Sequence, residues 1–70
     1  MKHTLKFAEN LKIEMKNCNI SQEKLAKALK TTQATVSRWT SGINQPDFET
    51  LFELCKILDT TPNILLGWEE

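Results

Sequence analysis

The stretch from Ser21 to Gly42, which reads SQEKLAKALKTTQATVSRWTSG, decides the fold of this chain. It holds two short helical patterns, and each follows a hydroxyl residue, Ser21 or Thr32, that can cap a helix by accepting a bond from a free backbone N–H. We predict helices over about 21–29 and 33–40 with a tight connection, and Gly42 as the stop of the second. Two short helices joined in this way are typical of a helix-turn-helix.

The second of these helices has two different faces. At about 100° per residue, Val36 and Trp39 fall on one side, which must face a core. The outward side carries an amide, a methyl, a hydroxyl and a guanidinium, from Gln33, Ala34, Ser37 and Arg38. An arginine can donate two bonds to guanine, a glutamine can pair with adenine, and an alanine methyl can touch the thymine methyl. We therefore predict that this second helix, called the recognition helix below, lies in a DNA major groove.

Another helix precedes this unit. Its apolar residues recur at the spacing of one helical face and predict a helix over about 4–17. They are Phe7, Ala8, Leu11, Met15 and Cys18. Ile13 lies off this stripe, so we expect it to be partly exposed. Asn17 and Asn19 would end the helix, because asparagine tolerates the left-handed backbone of a helix stop.

Two more helices follow the unit. Asp47 caps a helix over about 47–58, whose wide apolar stripe predicts that it is the most central element. The stripe consists of Phe48, Leu51, Phe52, Leu54, Cys55, Ile57 and Leu58. Thr61, followed by Pro62 at the first helical position, opens a last helix over about 61–66.

Length and composition limit the class of protein. No segment alternates as a strand does, so the predicted fold is all-α: a compact five-helix bundle in a single domain, residues 1–70, with the helix-turn-helix at 21–41. No apolar run approaches a membrane span, so we expect a cytoplasmic protein with no membrane partner. A domain this small has no room for a deep catalytic cleft, so we expect neither an enzyme nor a cofactor.

The charge is unevenly distributed along the chain. Nine Lys and Arg balance nine Asp and Glu, and a net charge of zero by itself argues against a nucleic-acid binder. Residues 1–45 carry eight basic and three acidic side chains, a balance of +5, whereas residues 46–70 carry one basic and six acidic, a balance of −5. This division indicates that one face meets a polyanion.

The motifs also show a family resemblance. The pattern S-Q-x-x-L-A, then V-S-x-W-x-x-G, then Pro46-Asp47 and finally Ile64-Leu65-Leu66-Gly67 resembles the phage repressor and Cro family of helix-turn-helix regulators over about residues 7–67. The resemblance implies a lambda-repressor-like domain that binds double-stranded DNA sequence-specifically and regulates transcription, in the manner of a repressor. Because a single small module has a small footprint, we expect a homodimer on a palindromic operator.

The resemblance assigns roles to individual residues. Gln22, at the start of the first helix of the motif, would bond a phosphate and brace the first side chain of the recognition helix. The base-reading positions would be Gln33, Ala34, Ser37 and Arg38, with Thr32 beside them. Further phosphate contacts would come from Ser41, Asn44 and Gln45 in the following loop, and we add Lys24 among the nearby lysines that attract the DNA.

The chain departs from the family in two respects. Members often carry glycine at the ends of the second and fourth helices, where Lys30 and Asp59 stand here, and a left-handed backbone there costs on the order of 1–2 kcal/mol relative to glycine. Members also often pair an arginine late in the first helix with a glutamate after the tryptophan, where this chain has Met15 and Thr40. Since both charges are absent, none is left buried alone, and we expect Met15 to pack near Thr40 and Trp39.

Other candidate residues carry no predicted chemistry. His3 has no ligand partners at metal spacing, so no metal site is predicted. It also lacks a third group that would orient it toward Ser37, so no catalytic pair is predicted. Cys18 and Cys55 are expected to be reduced and at least partly packed.

The dimer surface and the wider role of the protein stay open. The interface is predicted at Ile64, Leu65 and Trp68, although Trp68 can instead fold back on the core. One alternative function is that of an antitoxin or restriction-system controller, which would also bind a protein antagonist or toxin. A second is a helical protein-interaction module that no longer binds DNA. The zero net charge favours this second alternative, and the polar outward face of the recognition helix opposes it.

Overall fold

A computed structural model describes residues 2–68 of the chain and the side chains of residues 6–68. Five helices follow one another along this part: α1 (Lys2–Asn17), α2 (Gln22–Ala28), α3 (Gln33–Thr40), α4 (Phe48–Leu58) and α5 (Pro62–Leu66). The all-α prediction is confirmed, and each predicted helix agrees with these bounds to within two residues. None of the described helices has the length and hydropathy of a membrane span. The side chain of His3 lies outside the described side chains.

Each helix after α1 begins at a capping side chain that the sequence predicts. The side-chain oxygen accepts a hydrogen bond from the backbone N–H three residues later, over 2.8–3.2 Å. The four caps are Ser21, Thr32, Asp47 and Thr61. Each bond satisfies one of the donors that the first turn of a helix leaves without an intrahelical partner.

Left-handed residues mark the ends of the helices. Asn19 follows α1 with φ 55°, as the sequence predicts, and Gly42 follows α3 with φ 78°. Lys30 and Asp59 have φ 58° and 54° after α2 and α4. The two positions that lack the family's glycine are therefore left-handed, and both side chains carry the cost of that backbone.

One hydrophobic core joins all five helices. Its buried members are Phe7, Leu11, Met15, Leu25, Ala26, Val36, Trp39, Leu51, Leu54, Cys55, Leu58 and Leu65. Met15 is buried in the same cluster as Trp39, and the neighbouring Thr40 is also buried. Met15 thus shares the core with Trp39, as expected at the place of the family's ion pair. Ile13 is half exposed, as its place off the stripe predicts.

Two predictions for α4 are wrong. Phe48 and Phe52 were expected in the buried stripe, but their side chains are 78% and 54% exposed. The buried residues of α4 keep the i, i+3, i+4, i+7 spacing of a narrower face. They are Leu51, Leu54, Cys55 and Leu58. Phe52 lies beside that face, and Phe48 stands on the first turn, so neither is covered by a neighbouring helix.

Two predictions about packing also need correction. Leu65 was expected at a dimer interface, but its side chain is fully buried in the core, because α5 packs against α1 and α4. Cys18 was placed on the apolar stripe of α1, but it lies beyond the helix end and is exposed. Its thiol donates to the carbonyl of Leu58 over 3.2 Å. Cys55 is buried, and burial raises the pKa of its thiol.

Candidate nucleic-acid interface

The α2–α3 unit is held together by its connection and by the core. The N–H of Thr31 donates to the carbonyl of Ala26 over 2.9 Å, which closes the end of α2 around the left-handed Lys30. Leu25 and Ala26 are buried on one side, and Val36 is buried on the other. The two helices therefore pack as one unit, and the outward face of α3 forms part of its surface.

The faces of α3 divide as the sequence predicts. Val36 and Trp39 are 0% and 5% exposed, so they anchor the helix in the core. Gln33, Ala34 and Arg38 are exposed, and Ser37 is half-buried at the edge of the outward face. Three of the four expected base readers thus stand fully on the surface. Ser37 is the least accessible of them.

The first turn of α3 holds two threonines. The hydroxyl of Thr32 accepts a hydrogen bond from the N–H of Thr35 and lies 2.9 Å from the hydroxyl of Thr35. Thr32, which the resemblance places beside the base readers, is therefore committed to capping the helix. Thr32 is nevertheless exposed, next to the expected base-reading residues of α3.

Gln22 bonds to the end of α3 in this structure. Its side-chain amide donates to the hydroxyl of Thr40 over 3.0 Å, at the opposite end of α3 from Gln33. Thr40 in turn donates to the carbonyl of Ser37 over 3.0 Å. Thr40, which stands where the family often has a glutamate, offers the Gln22 amide a buried acceptor. The brace on Gln33 stays a prediction, because the carbonyl oxygen and the second N–H of Gln22 are not used by this bond. The signal for the bond to Gln22 in the sequence is the hydroxyl of Thr40, which stands where the family often has a carboxylate.

The loop after α3 presents the other predicted phosphate ligands. Ser41 ends α3, and the N–H of Ile43 donates to the carbonyl of Arg38 over 3.0 Å. This bond ties the loop to the recognition helix. The predicted phosphate ligands Ser41, Asn44, Gln45 and Lys24 are all exposed, and Gln22 is half-buried.

A second surface feature is an apolar groove near the end of the described chain. Its volume is about 300 Å³, and its lining includes the exposed side chains of Phe48, Leu66 and Trp68 over a floor of Phe7. Trp68 is 68% exposed, and Ile64 is 51% exposed. Of the two alternatives for Trp68, the structure shows the exposed one.

No group of three or more His, Cys, Asp or Glu side chains that could hold a metal ion occurs in the described part of the chain. The outward face of α3 presents hydrogen-bonding and cationic side chains, among them Gln33 and Arg38. Such a surface suits recognition of an anionic polymer with donor and acceptor groups along a groove.

Comparison with known proteins agrees with this geometry. A family model described as helix-turn-helix matches residues 11–65. The chain is 36% identical over 66 residues to the HTH-type transcriptional regulator DicA of Escherichia coli K12, an alignment that covers 94% of this chain and 49% of DicA.

Two other relatives are similarly distant. The HTH-type transcriptional activator BcrR of Enterococcus faecalis is 33% identical over 66 residues, covering 94% of this chain and 32% of BcrR. The uncharacterized HTH-type transcriptional regulator YqaE of Bacillus subtilis is 33% identical over 63 residues, covering 90% and 54%. The chain thus spans about half the length of DicA and YqaE and about a third of BcrR. No solved structure gives a significant match. The chain belongs to the Cro/C1-type helix-turn-helix family.

Proposed function

We propose that this protein is a sequence-specific, double-stranded DNA-binding transcriptional regulator of the repressor-like kind, with α3 in the major groove. The observation that carries the proposal is the outward face of α3. Gln33, Ala34 and Arg38 are exposed there, while Val36 and Trp39 hold the opposite face in the core. The relatives named as transcriptional regulators give further support.

Base reading and phosphate binding belong to different residues in this proposal. Arg38 suits a guanine, Gln33 an adenine and Ala34 a thymine methyl, with Ser37 at the edge of the reading surface. The residues that set the register on phosphates are Gln22, Lys24, Ser41, Asn44 and Gln45. Phosphate contacts fix the position of the protein, and base contacts supply the specificity.

The charge of the chain shapes the expected binding. The balance of +5 over residues 1–45 attracts DNA to the half of the chain that contains α2 and α3. Since the whole chain has no net charge, the long-range field is weak and non-specific binding should be modest. Discrimination then depends on the few side chains of α3 and on assembly into a dimer.

We further propose a homodimer that uses the exposed apolar residues near the end of the described chain. A single module of this kind buries only about 600–1,000 Å² on DNA, so useful affinity calls for two copies on half-sites about 34–36 Å apart. Ile64 and Trp68 remain as interface residues, and the exposed Phe48 and Leu66 extend the surface. Leu65 supports it from the core.

The alternatives are less well supported. A role as an antitoxin or restriction-system controller retains the same DNA-binding surface and adds a protein antagonist or toxin. A protein-interaction module without DNA binding fits poorly with α3, because the outward face of α3 is polar rather than apolar. We propose no catalytic activity for this chain.

Selection of bound sequences from random duplex DNA tests the proposal, with the wild type and Arg38→Ala run in parallel. We expect a motif to be enriched, and loss of Arg38 should cost about 1–3 kcal/mol at one base position and relax specificity there. Lys27→Ala is the matched control, since an exposed lysine on α2 should at most weaken binding to all sequences alike.

The same selection tests the dimer. A two-fold dimer enriches an inverted repeat with half-site centres about 10–10.5 base pairs apart or a multiple of that spacing. A single unrepeated half-site would contradict the homodimer. Failure to enrich any motif at low salt would contradict the proposed regulator as a whole.

A further inference from the structure

A buried hydroxyl joins the start of α2 to the end of α3. Thr40 is only 7% exposed and is the one polar residue among the buried side chains described. Its hydroxyl donates to the Ser37 carbonyl over 3.0 Å and accepts from the Gln22 amide nitrogen over 3.0 Å. The bond from Gln22 spans 18 positions of sequence, so it is a tertiary contact between the two helices of the motif.

The direction of these bonds follows from the number of hydrogens available. A threonine hydroxyl has one hydrogen, and Thr40 uses it on the Ser37 carbonyl, which cannot donate in return. Toward Gln22 the hydroxyl can only accept. Gln22 must therefore present its NH₂ group to Thr40, since the amide carbonyl would meet an oxygen with no hydrogen left to give.

This arrangement determines what Gln22 can offer to a ligand. One of its two N–H hydrogens is used by Thr40, and the second remains for another acceptor. A phosphate oxygen accepts hydrogen bonds and donates none at neutral pH, so the second N–H suits it. Because Gln22 is half-buried and already bonded, its amide is held in place before DNA arrives.

We propose that Thr40 is a positioning residue for the phosphate contact of Gln22. It fixes the orientation of the amide and keeps one N–H for a DNA phosphate, in a role distinct from base reading. The proposal rests on the proposed DNA-binding function.

A double-mutant cycle tests the proposal. Affinity for the selected duplex is measured by fluorescence anisotropy for the wild type, Thr40→Val, Gln22→Ala and the double variant, at a temperature where circular dichroism shows each to be folded. Thr40→Val keeps the shape and removes the hydroxyl. We expect it to weaken binding about fivefold, the scale of ordering one flexible side chain at an interface. In the Gln22→Ala background, the same change should have no further effect.

Thr40→Ser is the rescue variant, because it restores the hydroxyl without the methyl group, and its affinity should lie within about twofold of the wild type. Wild-type affinity for Thr40→Val would overturn the proposal. So would an equal loss in the Gln22→Ala background, since Thr40 would then act through α3 itself. If the wild type binds no duplex, the proposed DNA-binding function itself fails. If the wild type binds but Thr40→Val has no effect, only the role of Thr40 fails, so the two failures are distinguishable.

A measurement on the free wild-type protein needs no variant. One of the two side-chain amide protons of Gln22 should give a shifted NMR signal with slowed solvent exchange, because it is bonded to a buried oxygen. Signals and exchange like those of the exposed Gln33 amide would show that the bridge does not form, and would overturn the proposal without any DNA.

Discussion

α3 and α4 both anchor one face in the same core, but their remaining surfaces differ. In α3 both large apolar residues, Val36 and Trp39, are buried, and the rest of the helix is polar or small. In α4 two phenylalanines, Phe48 and Phe52, remain exposed beside the buried face. Periodicity therefore identifies the core face of a helix. Whether its other apolar side chains are buried depends on whether another element covers them.

The largest expected change in the free energy of unfolding comes from the buried face of α4, and its exposed phenylalanines should contribute much less. Leu54→Ala removes a fully buried side chain and should lower the free energy of unfolding by about 2–5 kcal/mol. Phe52→Ala is the matched control, and it should cost less than about 1 kcal/mol because the ring is already half in water. Urea unfolding followed by circular dichroism measures both. Equal losses would mean that Phe52 is covered in solution.

Substitutions at the C-terminal ends of α3 and α4 should change the free energy of unfolding by a smaller amount. α3 ends at a left-handed glycine, Gly42, whereas α4 ends at the left-handed Asp59. Asp59→Gly should raise the free energy of unfolding by on the order of 1 kcal/mol, because it relieves the backbone and removes a negative charge from a helix C-terminus. Gly42→Ala should lower it by a similar amount.

Lys30→Gly serves as the control for charge in the same unfolding measurement. Its backbone is equally left-handed after α2, but a lysine at a helix C-terminus is favourable, so the gain should be smaller than for Asp59→Gly. A larger gain at Lys30 would contradict this account of the two ends.

The smallest expected effect on stability comes from the N-terminal caps of α3 and α4. α3 is capped by the neutral Thr32 and α4 by Asp47, whose pKa lies below its ordinary value of 3.8 because the carboxylate accepts the N–H of Thr50. A pKa lowered by folding stabilises the protein above that ordinary value, and the contribution is lost as the pH falls through the lower folded pKa. Acid should therefore weaken the start of α4 and leave the cap of α3 unchanged.

Comparison of the wild type with Asp47→Asn measures this contribution. Asparagine caps a helix without titrating, so urea midpoints of the two proteins should differ more at pH 7 than at about pH 2.5. A difference that stays constant across this range would show that Asp47 does not carry a pH-dependent share of stability.

Much of the fold could be predicted from local chemistry. The caps at Ser21, Thr32, Asp47 and Thr61 depend on one side chain and the N–H three residues later, so they are properties of a short segment. The two faces of α3 follow from helical geometry alone. The proposed base readers Gln33, Ala34 and Arg38 were predicted to lie on the outward face in this way, and all three are exposed.

The errors arose where distant segments meet. Leu65 looked suitable for an interface because it lies beside Ile64 in sequence, but the packing of α5 on its neighbours buries Leu65 and leaves Ile64 half exposed. The bond from the Gln22 amide to Thr40 was not predicted, because the two residues lie 18 positions apart in sequence. Neither the burial of Leu65 nor the bond between Gln22 and Thr40 could be predicted from a short stretch of sequence.

Five helices, their caps and stops, the helix-turn-helix and the polar outward face of α3 could all be predicted from local sequence. Each of these depends on residues within one or two helical turns. Which apolar residues of α4 and α5 are covered, and to which acceptor the Gln22 amide donates, became clear only from the packed helices. Burial and buried hydrogen bonds depend on how separate helices pack against one another, and that arrangement exists only after the chain has closed around its core.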